Sequence, residues 1–125
     1  MTNDPYSPRV RDLFRNPVHA GRLDAATEAA IDDQGVRVQV TMASRDGQIE
    51  TLRFKAWGCP HLIAACEAFC SAYEGRGVAD LGGFSGAGLM QSLAVPVEKT
   101  GRILVLEDAV RSLGTQARQS SLAES

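Results

Sequence analysis

Between Val36 and Tyr73 the spacing of apolar residues changes once, and the rest of the chain is organised around that change. Val36, Val38, Val40 and Met42 alternate with Arg37, Gln39 and Thr41, and Leu52, Phe54 and Ala56 alternate with Thr51, Arg53 and Lys55. A period of two is that of a strand with one buried and one wet face. Ser44-Arg45-Asp46-Gly47 lies between the two runs. Its Asp-Gly step predicts an antiparallel hairpin. Past Gly58-Cys59-Pro60 the period lengthens. Leu62, Ile63, Cys66, Phe69, Cys70 and Tyr73 recur at three and four residues, one apolar stripe of a helix about four turns long. Pro60 suits the first helical position, where a missing N–H costs nothing, so Cys59 falls at or next to the N-cap.

The flanks are read from the same signals. Residues 1–5 are polar and expected to be loose. Ser7 and Pro8 predict an N-cap and first helical residue, with Val10, Leu13 and Phe14 as the buried stripe of a short helix that Asn16-Pro17 ends. Residues 18–35 give no firm pattern: Ala25 to Ala30 has helical propensity, yet the segment closes in the turn-like Asp32-Asp33-Gln34-Gly35. After the central helix, Gly75 to Gly77 is a break and Gly82 to Gly86 a flexible connector. A short helix over Leu89–Leu93 stops before Pro96. Ile103, Leu106, Val110 and Leu113 share one face of a last helix that Gly114 should end, and the polar chain from Thr115 to Ser125 should fray. Helix, strands, then helices only predicts one α+β domain over residues 1–125, with an antiparallel sheet of about three strands covered on one face by helices.

A chain of 125 residues can bury a core without staples. The net charge of −2 comes from interspersed Asp, Glu, Lys and Arg, which argues against nucleic acid and against a polybasic membrane contact. No apolar stretch approaches the ~20 residues that span a bilayer, and MTNDPYSPRV lacks a basic-then-apolar leader, so a cytoplasmic protein is expected. Three cysteines are an odd number for a reducing compartment. Thiol or metal chemistry is a better question there than disulfides.

A thiol at Cys59 would face unpaired N–H groups and the positive end of the helix dipole, both of which favour the nucleophilic and metal-binding thiolate. It serves equally as a small apolar residue closing a tight turn. Cys66 and Cys70, one turn apart, have the spacing to share a metal, but their place on the stripe favours core packing. Cys59 is ~10 Å along the axis from Cys66 at 1.5 Å per residue, too far for all three to hold one metal. His61 points away from the stripe, either as a wet surface residue, the favoured reading, or as a ligand near the corner. His19 has no visible partner and is expected to be solvated. No acid–base pair or nucleophile triad is evident, and Gly82–Gly86 lacks the Lys-Ser/Thr end of a phosphate loop, so an enzyme is not expected.

Four stretches together resemble a known family. Tyr6, Val10, Asp12, Phe14, Asn16, Pro17 and Gly21 are similar to the opening of the iron–sulfur cluster scaffolds IscU and the NifU N-terminal domain. Asp46-Gly47 with Arg53-Phe54-Lys55-Ala56-Trp57-Gly58-Cys59 resembles their turn, strand and Gly-Cys corner. Ile63-Ala64 with Gly75 resembles the helix that follows. Val95-Pro96-Val97-Glu98-Lys99 with Glu107-Asp108-Ala109-Val110 resembles their Leu-Pro-Pro-x-Lys segment and last helix. The resemblance spans roughly residues 6 to 113 and implies the SufE/NifU-like fold.

That family holds a cluster with three cysteines, helped by an Asp and a His. By the resemblance only the second cysteine survives, as Cys59. The first falls at or near Asp32 and its Asp near Gln34, while the third cysteine and its preceding His fall on Arg102 and Gly101. One thiolate, one carboxylate and a guanidinium suit a cluster badly. Three readings follow. Cys59 accepts sulfur as a persulfide, as the lone cysteine of SufE does on a similar fold, with Arg102 stabilising the anion and a cysteine desulfurase or another assembly protein as partner. Alternatively Cys59, with Asp32, His61 or a second subunit of a homodimer, binds iron, zinc or an iron–sulfur cluster. The third reading is a non-catalytic relic that binds partners.

Overall fold

The computed structural model describes residues 7–24 and 27–124, with side chains through Arg118. Residues 1–6, including Tyr6 of the family resemblance and the expected loose start, lie outside the described residues, as do 25, 26 and 125. The elements are α1 (Pro8–Arg15), β1 (Thr27–Asp33), β2 (Val36–Arg45), β3 (Gln48–Trp57), α2 (Pro60–Tyr73), α3 (Gly86–Leu93) and α4 (Thr100–Glu124), with short 3-10 segments at Val78–Gly83 and Val97–Lys99. The strands form one antiparallel sheet in the order β1-β2-β3. The sequence predicts this α+β layout, with one exception among the strands.

That exception is β1. Residues 27–30, read as helical by propensity, are extended. Ala29 pairs with Val40, and Ile31 with Val38, which puts both on the apolar face of the sheet. Pairing along a whole strand outweighs a propensity difference of a few tenths of a kcal/mol per residue. Both hairpins close through two residues of positive φ, Gln34-Gly35 and Asp46-Gly47, as tight β-hairpin turns require.

β2 lies at the centre, with Val40 between Ala29 and Phe54 and Met42 between Thr27 and Leu52. α2 covers β3, and α4 covers β1 and β2. α1 then packs on α2. This changes the reading of α2. The sequence predicts a single stripe, but nearly the whole helix from His61 to Cys70 is buried. Ala64, Ala65 and Ala68 let neighbours approach the helix closely. α1 matches its prediction: the Ser7 hydroxyl accepts the Val10 N–H at 3.2 Å and donates to the Leu93 carbonyl at 3.1 Å.

The chain after α2 is more ordered than a flexible connector. Leu81 and Phe84 are buried, and Phe84 meets the rings of Phe69 and Tyr73 at 5.1 and 5.8 Å. α4 does not stop at Gly114 but continues to Glu124. Gly114 faces Leu81, whose Cβ would lie 3.3 Å from any Cβ added there. The glycine therefore serves close packing in mid-helix rather than a C-cap. Among the described residues no helix is long and apolar enough to cross a membrane.

Candidate functional site

Cys59 is the N-cap of α2, as the Gly-Cys-Pro corner predicts, with extended backbone and no side-chain capping bond. Its carbonyl accepts the N–H groups of Leu62 and Ile63 at 3.0 and 3.2 Å, and its side chain is partly exposed. Cys66 and Cys70 are buried in the core. Burial pushes both thiols far above the ordinary range, and the neighbouring Glu67 charge adds to the shift. Only Cys59 of the three is placed to react.

Two close approaches hold the corner. Gly58 has φ +150°, and a Cβ on it would come within 2.4 Å of Val36 Cγ1 at the start of β2. At the start of α4, a Cβ on Gly101 would come within 3.0 Å of Gln34 Oε1. The β1–β2 turn thus touches both the corner before α2 and the first turn of α4. These places carry Gln34, Cys59 and Gly101, three of the positions that the family resemblance marks.

The charges of Lys99 and Arg102 act on His61 in the first turn of α2. His61 is 2% exposed, not the wet surface residue expected from the sequence. The stripe argument places it away from the sheet but cannot see the chain entering α4, which lies close to that side. Burial lowers the His61 pKa below 6.5, and the charges of Lys99 and Arg102 lower it further against an opposing effect of Glu98. Arg102 is half-buried in the first turn of α4. Asp32 lies elsewhere. The register pairs it with Arg37 on the wet face of the sheet, where its side chain is 72% exposed and 4.0 Å from Arg37 Nη1. Arg37 also stacks over Trp57, 5.6 Å from the ring centroid. The predicted metal ligands Cys59, Asp32 and His61 are therefore not gathered, and among the described residues no three His, Cys, Asp or Glu side chains are placed to hold a metal ion. Iron–sulfur clusters are held by several thiolates, so one accessible thiol does not fit a cluster within a single chain.

A second cluster has no sequence signal. His19, expected to be solvated, is 12% exposed and sits between two carboxylates of α2. Its Nδ1 lies 2.5 Å from Glu67 Oε2, its Nε2 lies 2.9 Å from Glu74 Oε1, and its N–H donates to Glu67 Oε1 at 2.8 Å. Glu74 also accepts the Leu52 N–H at 2.8 Å and an Arg53 N–H at 3.1 Å. Only the burial of Glu67 in the i, i+4 neighbourhood of Ser71 and Ile63 hints at such a site, because a carboxylate on a buried helix requires a partner.

The sequence and fold have clear relatives. The family model for the NifU-like N terminal domain matches residues 5–116. The iron–sulfur cluster assembly scaffold protein IscU of Azotobacter vinelandii is 27% identical over 115 residues, covering 86% of this chain and 89% of that protein. Iron sulfur cluster assembly protein 1, mitochondrial, of Eremothecium gossypii is 26% identical over 115 residues, covering 86% of this chain and 75% of that protein. Among solved structures, FiSufU of Fervidobacterium islandicum AW-1, a SUF-system protein, shares the fold with a TM-score of 0.70 at 12% identity, covering 85% of this chain and 93% of that one. The N-terminal part of a nitrogen-fixing NifU-like protein from Brucella abortus gives 0.58 at 18% identity, covering 92% and 82%. With the family model matching nearly the whole chain and the scaffold protein IscU among its relatives, the chain belongs to the NifU-like N-terminal domain family.

Proposed function

We propose that the protein is an accessory of iron–sulfur cluster assembly that accepts sulfur as a persulfide on Cys59, with Arg102 stabilising the anion. The observation that carries this reading is one partly exposed thiol at a helix N-cap, two residues before His61, on which the charges of Lys99 and Arg102 act. The Cys59 thiolate attacks the terminal sulfur of a cysteine persulfide on a desulfurase. A new S–S bond forms at Cys59, the donor's S–S bond breaks, and its electron pair leaves on the donor cysteine as a thiolate. Oxidation states are conserved overall, so no outside oxidant is needed. Helix N–H groups and nearby cations stabilise the anionic persulfide as they would a thiolate. The protein is then a cytoplasmic carrier rather than an enzyme.

Family membership supports a second reading, in which a partner subunit completes a metal or cluster site around Cys59. One anaerobic experiment separates the two. Incubation with a cysteine desulfurase and cysteine should add one sulfur atom to the intact mass of the wild type and none to Cys59→Ser. Reconstitution with iron and sulfide should leave no persistent [2Fe–2S] spectrum on the monomer. A stable cluster together with no sulfur adduct would establish the scaffold reading instead. Neither product would leave the fold as a partner-binding relic.

A further inference from the structure

The segment from Pro17 to Leu23 closes an otherwise open sheet edge with few bonds. Phe54 donates its N–H to the His19 carbonyl at 3.0 Å and accepts the Gly21 N–H at 2.8 Å. Leu23 donates to Thr41 Oγ1 at 3.0 Å. Between Phe54 and the next pairing at Ile49, Glu74 takes the place of a strand by accepting the Leu52 N–H. An unpaired edge is costly to leave open, and here the imidazole of His19 adds two contacts to the few backbone bonds that close it.

Each ring nitrogen of His19 faces a carboxylate oxygen. A neutral imidazole has one donor nitrogen and one acceptor, so in either tautomer one of these contacts would set two acceptors against each other. With both carboxylates ionised, both contacts are satisfied only by imidazolium. The charges facing the ring are Glu67 and Glu74 from α2, and Arg53 of β3 stands behind Glu74. With His19 protonated, two anions meet two cations. Loss of the proton leaves a net negative cluster in a largely buried place.

We infer that His19 is a proton-dependent latch: protonated, it fastens residues 17–21 to α2 and the β3 edge, and deprotonated, it lets this segment open while the sheet stays folded. The inference is independent of the chemistry at Cys59. The charge balance around the ring agrees with it. Burial alone would lower the His19 pKa, but the hydrogen bonds and charges of Glu67 and Glu74 outweigh burial and raise it above the ordinary 6.5. A raised pKa means that the stabilisation is complete below 6.5 and is lost as pH rises through the folded-state value.

The test is NMR on the full chain, following the His19 ring resonances and the amide protection factors of Gly21, Phe54 and Val40 across neutral pH. The ring should titrate above 6.5. Protection at Gly21 and Phe54 should fall by up to about tenfold for each pH unit of that displacement, while protection at Val40 stays level. His19→Gln should abolish the pH dependence. Glu74→Gln should bring the ring titration downward, and it serves alone if His19→Gln does not fold. A ring pKa at or below 6.5, protection that is flat through the titration, or an equal loss at Val40 would each overturn the latch.

Discussion

Gly58→Ala is the sharpest test of how the corner is built. At φ +150° an L-residue sits in a region nearly restricted to glycine, at a cost of about 1–3 kcal/mol. The added Cβ also meets Val36 Cγ1 at 2.4 Å and Val36 Cβ at 3.0 Å. Val36 is β-branched, buried and paired within β2, so it has little room to turn away. Overpacking of that kind costs about 1–3 kcal/mol. The sum, roughly 2–6 kcal/mol, is a large share of the ~5–15 kcal/mol that stabilises a domain. Urea denaturation should show the midpoint falling with little change in slope, and the Tm should drop by roughly 10 °C or more. Val36→Ala removes the clashing methyl but not the backbone strain. The double variant should therefore be about 1 kcal/mol or more better than additive, with the strain cost remaining. A Gly58→Ala protein within about 0.5 kcal/mol of wild type, or strict additivity with Val36→Ala, would refute this account of the corner.

Two further outcomes concern the thiols. Under native conditions a neutral alkylating reagent should modify Cys59 alone, with Cys66 and Cys70 reacting only on unfolding, because burial raises both thiols and hides them. Mass mapping that found either one labelled as fast as Cys59 would contradict the burial described here. The ratio of iodoacetate to iodoacetamide rates at Cys59 cancels its thiolate fraction and reports local charge. It should exceed that of N-acetylcysteine amide, shrink between 0.1 M and 1 M salt as the screening length falls from about 10 Å to about 3 Å, and fall in Arg102→Ala. A ratio equal to that of the free thiol would remove the cationic site.

The hairpin, the corner and the capping residues are legible in the sequence because each rests on neighbours in the chain. Asp46-Gly47, the Val36–Met42 alternation and the Ser7-Pro8 start all appear where the local signals put them. β1 is not legible in that way, since its extended state depends on pairing with β2 across a turn. The burial of α2 on nearly every side is hidden for a similar reason: α1 and α4 cover it from distant parts of the chain. His61 and His19 are misjudged together. A surface reading treats a helix or a turn by itself, whereas His61 is closed in near Lys99 and Arg102 and His19 is claimed by carboxylates 48 and 55 positions away. Cys59 is found by sequence because its signal, a glycine, a thiol and a proline at a change of period, is local.

Close packing holds the corner. Val36 against Gly58 and Gln34 against Gly101 bring the turn, the N-cap of α2 and the start of α4 together. A small metal-dependent domain loses its fold when its ligands are lost, because metal binding and folding share one free energy. Here the apolar core from Val10 to Leu113 supplies the stability and the site is a passenger on it. Ligand residues can therefore change while the frame that positions them persists, and family membership fixes the frame more firmly than the chemistry. On the proposed function, the sign of the charge at the corner decides the chemistry. Thiolates and carboxylates there would attract iron, whereas on the proposed reading Lys99 and Arg102, whose charges act on His61 two residues from Cys59, favour a sulfur anion over a cation.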